Sequence, residues 1–223
     1  MEHSTDTRRP DPAYQALLDQ QPYTVTLDGL LLEVHRDVFP PDLGRCARNM
    51  ARLACGYPAA SALDMGCGTG FMALSLKRAG IGDVWASDIH QPAVDCAARN
   101  LLLNRNVGPI TLLRSDLFDQ FPDPVRFDLI VFNQPFGPGR EVRRCGCGPD
   151  GGAAISRRFL AAARVRLAPS AVVLMAFSDR QASEHDPRHA AAELGYGVST
   201  ILDLEYDGSR NVIYEMRPQG TAS

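Results

Sequence analysis

Hydrophobic and polar positions follow one pattern before about residue 60 and another after it. In the first part, YTVTLDGLLLEV (residues 23–34) places two short apolar runs on either side of Asp28-Gly29. An Asp-Gly pair between such runs favours a tight two-residue turn, so a β-hairpin is predicted. HRDVFPPDLGRCARNMARLACG comes next. Pro40 and Pro41 stop extended structure, Asp42 is the expected N-cap, and Leu43, Cys46, Met50 and Leu53 recur at helical spacing up to a C-terminal Gly56. In the second part, apolar strands are predicted at 61–66, 83–88, 110–116, 127–133 and 171–179. Between them lie FMALSLKRAG, QPAVDCAARNLLLNR and AAISRRFLAAARVRLA, each with an apolar helical face. Strand–helix alternation with continuous apolar strands predicts a parallel sheet covered on both faces. The chain then changes again: VSTILDLEYDGSRNVIYEMRP reads as strand, turn at Asp207-Gly208, strand. The expected fold is therefore α/β and Rossmann-like, a mostly parallel seven-stranded sheet closed by a C-terminal antiparallel hairpin.

A chain of 223 residues suits one buried core with a short appendage. The expected organisation is a flexible tail over residues 1–20, the hairpin and helix packed on the core over 21–56, and the main domain over 57–217. The opening MEHSTDTRRPDP lacks the apolar stretch of a secretory signal. No apolar run approaches the ~20 residues needed to cross a bilayer. Both observations point to the cytoplasm and away from a membrane. A net charge of −3 argues against a nucleic-acid partner, which usually demands a basic face. Six scattered cysteines read as free thiols. Cys145-Gly146-Cys147 has no second pair or nearby histidine to complete a metal site, so no metal is expected. Nothing in the sequence sets the oligomeric state.

The strongest candidate chemistry is ALDMGCGTGF (62–71), where a strand runs into glycines 66, 68 and 70 and then into a helix. Glycines let the backbone turn sharply and let a ligand approach without interference from a Cβ. The spacing is G-x-G-x-G, not the G-x-G-x-x-G of dinucleotide sites. Asp64 on the leading strand would repel a pyrophosphate but attract a cationic amino-acid group. Asp88 ends the second strand, where an acid can accept both hydrogens of a ribose diol, and Ile89 beside it can pack on an adenine face. Asp116 ends the third strand, placed to accept from an adenine amino group, with the Leu117 backbone N–H available to a ring nitrogen. Each acid alone could be a helix cap. Three at the ends of successive strands, where such sheets bind ligands, point to one site.

From Asp64 to Phe136 the chain resembles the core of class I S-adenosylmethionine-dependent methyltransferases. The likeness is greatest to the branch that holds release-factor glutamine methyltransferases, the methyltransferase small domain and nucleic-acid adenine and guanine N-methyltransferases. The matching pieces are the glycine loop, SDLFD (115–119), FDLIVFNQPF (127–136) and the upstream DVFPP (37–41). The resemblance implies S-adenosylmethionine as cofactor, with contacts from Asp64, Gly66, Gly68, Asp88 and Asp116. Cys67, Gly70, Ile89, Leu117 and Asn133 complete the expected binding set.

The same resemblance assigns catalysis to Asn133, Gln134, Pro135 and Phe136. An amide or ring-conjugated nitrogen is a weak nucleophile because its lone pair is delocalised. Two acceptors, Asn133 Oδ1 and the residue-134 carbonyl, can draw on its N–H bonds and free that pair, while Phe136 stacks on the flat group. The branch has proline where this chain has Gln134, so a new polar side chain is expected in the site. The loop over 137–152, with Arg140, Arg143 and Arg144, reads as a substrate-covering segment or a solvated basic loop. The expected activity is N-methylation of a small molecule or a protein side chain. The alternatives are a nucleic-acid N-methyltransferase, O- or C-methylation with the Asn133 turn unused, and a Rossmann-like protein that transfers nothing.

Overall fold

The computed structural model describes residues 12–43, 45–134, 153–179, 185–206 and 208–219. A seven-stranded sheet forms the centre, made of β3 (Ser61–Met65), β4 (Asp83–Asp88), β5 (Thr111–Arg114), β6 (Phe127–Phe132), β7 (Leu167–Ser178), β8 (Tyr196–Tyr206) and β9 (Ser209–Pro218). Their spatial order is β5-β4-β3-β6-β7-β9-β8. The first five are parallel, and β9 inserts antiparallel between β7 and β8, which makes the predicted terminal hairpin. The chain moves outward from β3 to β5 and then crosses to β6 on the other side of β3. That reversal opens a crevice at the C-terminal strand ends, the usual ligand position in such sheets.

Alternation along the strands sends side chains to two separate cores. Ala62, Ala86, Val131, Leu174 and Ile213 pack under α2 (Cys46–Ala54), α3 (Phe71–Arg78) and α4 (Gln91–Leu103). Leu63, Met65, Ile130, Phe132 and Tyr214 pack on the opposite face with Phe118 and Phe121, beneath α5 (Ala153–Ala163) and α6 (Pro187–Glu193). Phe159 of α5 is fully buried there and stacks on Phe118 at 5.9 Å between ring centroids. A side chain so enclosed contributes about 1.5–3 kcal/mol through burial.

The N-terminal part differs from expectation at two points. Residues Pro12–Gln20, expected to be tail, form helix α1, and its Leu18 is buried. Asp42 does not cap α2: it accepts a 2.6 Å hydrogen bond from the Tyr23 hydroxyl, and the cap position is Arg45. The competing partner, a phenol on the neighbouring strand, has drawn the carboxylate away from the helix end. The hairpin forms where predicted, β1 (Tyr23–Leu27) against β2 (Leu30–Val34), with Asp28 and Gly29 at φ 47° and 80°. Two positive φ values in succession are what a type I′ turn requires.

The outer edge of β2 is closed by side chains in place of a third strand. Asn104 accepts from the Leu31 N–H and donates to the Leu31 carbonyl, at 3.2 and 2.8 Å. Asn100, one turn earlier on α4, does the same for Glu33 at 2.8 and 2.9 Å, and also donates to the Thr69 carbonyl at 2.9 Å. Each carboxamide thus satisfies a peptide N–H and C=O that would otherwise be buried unpaired. Asn100 ties hairpin, helix and glycine loop together.

Candidate active site

The strand register sets the geometry of the crevice. Ser87, Met65, Phe132, Met175 and Tyr214 lie in one row across β4, β3, β6, β7 and β9. One step toward the crevice stand Asp88, Gly66, Asn133, Ala176 and Ile213. At the usual strand spacing, Asp88 and Asn133 flank Gly66 with about 10 Å between their backbones. By alternation, Asp64, Asp88 and Asn133 all point to the face that carries α2, α3 and α4.

Three positive-φ glycines shape the turn after β3: Gly66 at 68°, Gly68 at 52° and Gly70 at 77°. Gly70 has a second constraint, since a Cβ there would lie 3.1 Å from Ala97 Cβ on α4. Any side chain would push α3 off α4. A Cβ on Gly68 would come within 3.9 Å of Val38, so the DVFPP segment borders the loop. Gln21 fixes that segment by donating to the Val38 carbonyl and accepting from the Asp37 N–H, at 2.6 and 3.1 Å.

Asp64 is buried and accepts from the Ala73 N–H in the first turn of α3, at 3.0 Å. Burial, reinforced by the nearby Asp88 and opposed by that hydrogen bond, pushes its carboxyl up to about 8. A cation placed beside this carboxyl would favour its ionised form. Asp88 accepts from the Gly68 and His90 N–H groups at 3.1 and 3.0 Å, and burial raises its carboxyl too. His90, the N-cap of α4, has a buried Nε2 without a hydrogen-bond partner among the described residues. Ile89 is 44% exposed, an apolar surface available to a flat ring. Cys67 is buried, its N–H donates to the Ser87 carbonyl at 2.9 Å, and burial drives its thiol far up, which keeps it unreactive.

Asp116 follows Ser115, whose N–H donates to the Asp88 carbonyl at 2.9 Å. Its Oδ2 accepts from Arg158 Nη2 of α5 at 2.8 Å, from the other side of the sheet. Leu117 follows in a left-handed conformation, φ 48°, with its side chain buried. Asn133 contacts Cys46 of α2, whose Sγ lies 3.6 Å from Oδ1. A thiol is a weak donor, so Oδ1 keeps its capacity as an acceptor.

Gln134 corrects the expectation of a polar side chain in the site. It is 1% exposed, accepts from the Ser156 hydroxyl at 2.6 Å and donates to the Ala176 carbonyl at 3.5 Å. These bonds anchor the end of β6 to α5 and β7, a restraint of the kind proline gives elsewhere through its ring. Only the Gln134 backbone carbonyl is left for chemistry. Pro135, Phe136, the loop over 137–152 and Cys145 and Cys147 lie outside the described residues. The contacts of Cys46 and Arg158 were not identified from the sequence, because no local motif marks contacts made across the fold.

The glycine cradle and the two buried strand-end carboxyls, Asp64 and Asp88, have the chemistry to hold a sulfonium nucleoside carrying an ammonium group. The fold is that of the class I S-adenosylmethionine-dependent methyltransferases. Residues 49–185, more than half of the chain, match the family model of the methyltransferase small domain, and the chain belongs to that family. It is 33% identical over 76 residues to ribosomal protein L11 methyltransferase of Thermoanaerobacter pseudethanolicus, a match covering 34% of this chain and 24% of that protein. It is 41% identical over 78 residues to ribosomal RNA small subunit methyltransferase C of Actinobacillus pleuropneumoniae, covering 34% and 22%. The matched stretch thus spans about a quarter of those relatives' length. Among solved structures, a Pyrococcus furiosus methyltransferase superposes with TM-score 0.67 at 19% identity, covering 93% of this chain and 95% of that one. A Thermus thermophilus 16S rRNA methyltransferase, in complex with AdoMet and guanosine, gives 0.65 at 20% identity over 88% of this chain and 50% of that one. Among the described residues no helix is long and apolar enough to cross a membrane.

Proposed function

We propose that this protein methylates an amide or conjugated amino nitrogen of a protein side chain or a small molecule. One observation carries the reading: Asn133 stands level with Gly66 and Asp88 on the same face, and among the described residues its Oδ1 is engaged only by a thiol. Asp64 would hold the ammonium group of S-adenosylmethionine, Asp88 its ribose and Ile89 the adenine. The cofactor supplies a methyl group already activated by the sulfonium charge, so the protein's work is alignment and handling of protons. Asn133 Oδ1 and the Gln134 carbonyl accept the two N–H bonds of the incoming nitrogen and turn its lone pair toward the donor. Binding of Gln134 to Ser156 and Ala176 keeps that carbonyl in place.

The acceptor of one curated relative is ribosomal protein L11, which supports a protein side chain here. The small-subunit ribosomal RNA enzyme supports a second reading, a base nitrogen in RNA. Labelled S-adenosylmethionine, incubated with the purified chain and with separated protein, RNA and small-molecule fractions of a cell extract, tests both. Label is expected in N-methylated side chains or metabolites. Label confined to RNase-sensitive material transfers the assignment to RNA, and label on oxygen or carbon removes the role given to Asn133.

A further inference from the structure

Helix α2 meets the proposed transfer site through one stripe of its surface. Met50 and Ala54, one and two turns after Cys46, are fully buried in the core that α2 shares with α3 and α4. Side chains four apart lie on the same helix face, so the packing that fixes Met50 and Ala54 also fixes Cys46. Cys46 is the first residue of α2 and stands at the end of that stripe, with its Sγ 3.6 Å from Asn133 Oδ1. Asn133 follows Phe132, the last residue of β6.

The contact has a direction. A carboxamide presents a carbonyl oxygen on one side and an NH2 group on the other, and half a turn about its last side-chain bond exchanges them. Only the oxygen can accept an N–H bond of an incoming nitrogen. Facing the oxygen, an S–H meets an acceptor; facing the NH2 group, it would meet two donors. Oδ1 has two lone pairs, so one can take the thiol while the other stays free for the methyl acceptor. The donor is also constant. Burial pushes the Cys46 thiol up to about 12, so it keeps its proton throughout the neutral range.

We propose that Cys46 is a positioning residue for methyl transfer, its S–H holding the Asn133 carboxamide with Oδ1, and not the NH2 group, where the incoming nitrogen arrives. Cys46 acts here only through Asn133, so this role rests on the reaction proposed above. A thiol suits the task because it is a weak donor: it sets which end of the carboxamide faces inward and leaves the oxygen basic enough to accept again.

Two measurements on the full chain test this role. Thiol stretching absorbs in an infrared window free of other protein bands, and the Cys46 band is isolated as the difference between the chain and Cys46→Ala. It is expected to move to higher frequency in Asn133→Ala, where its acceptor is gone. An unmoved band overturns the role, and no methyl acceptor is needed to see it. The second measurement is kinetic, with labelled S-adenosylmethionine and the extract fraction that takes up label. Cys46→Val, which fills the space but donates nothing, should lower kcat about three- to tenfold, the worth of one modest hydrogen bond. KM for S-adenosylmethionine should stay within about twofold, and Cys46→Ser, which restores a donor, should recover most of the lost rate. In the Asn133→Ala background Cys46→Val should cost nothing further, because the two residues act as one unit. A valine variant that slows Asn133→Ala as much as it slows the native chain reduces Cys46 to packing. Full activity of Asn133→Ala removes the proposed reaction and this role with it, whereas an impaired Asn133→Ala beside an unimpaired Cys46→Val removes this role alone.

Discussion

On the β4–β3 side of the crevice the polar groups are held before any ligand arrives, whereas on the β6–β9 side several are not. Asp64 is bound to α3, Asp88 to two backbone N–H groups, and Thr69 to Asn100. Among the described residues the Asn133 side chain has one contact, a thiol at 3.6 Å, and Asn49 has no side-chain hydrogen bond. The two regions face opposite demands. A cofactor is the same molecule in every turnover, so a rigid receptor lowers the cost of ordering it. An acceptor nitrogen must be engaged chiefly in the transition state, so acceptors there are best left open until it arrives.

Substitutions on the two sides should separate cleanly. Asn133→Ala is expected to lower the transfer rate by about 10²–10³-fold, the usual effect of removing one aligned polar group from a reacting centre. Its affinity for S-adenosylmethionine should stay within threefold, measured by calorimetry. Asp88→Ala should weaken cofactor binding by about 100-fold, since charge-assisted hydrogen bonds to a diol are worth about 1.5–3 kcal/mol each. A variant pair in which both substitutions weaken cofactor binding equally would erase the division.

The next effect is on pH. Asp64 holds its proton up to about 8 in the folded chain, against an ordinary value of 3.8. Between those limits the folded state binds more protons than the unfolded one, so stability without cofactor falls as pH rises and levels off above about 8. An ammonium group beside Asp64 favours the ionised form, so binding should release a proton at neutral pH. Cofactor affinity is expected to climb by up to about tenfold per pH unit below 8. Calorimetry in buffers of different ionisation heat reads that proton directly, and a flat affinity from pH 6 to 8 would refute it. Smallest of all is Arg158→Ala. The pair with Asp116 is more than a third exposed on both sides, and such pairs contribute little, so cofactor affinity should change by less than about threefold.

The sheet could be read from the sequence because parallel strands buried on both faces are apolar without interruption, as in FDLIVF of β6. The hairpin turn could be read because Asp28-Gly29 meets a local backbone demand. Helix α1 could not, since its sequence is short and near the polar end of the chain, and its place depends on burying Leu18 against the rest. In the candidate site the same division holds. Glycines 66, 68 and 70 and the strand-end carboxylates follow from local rules, whereas the inward turn of Gln134 depends on Ser156, 22 positions away. Likewise the arginine paired with Asp116 comes from α5, a later element, and no local rule points to it.

The carboxamide of Asn100 serves three parts of the molecule at once, and this gives the N-terminal hairpin a role beyond decoration of the core. Its two N–H bonds reach β2 and the glycine loop, so whatever loosens the hairpin also disturbs the hold on the Thr69 carbonyl. Trimming the chain back to the start of α2 should therefore leave a sheet that still assembles but grips its nucleoside poorly. In this sense the first strands act as a strut for the glycine loop.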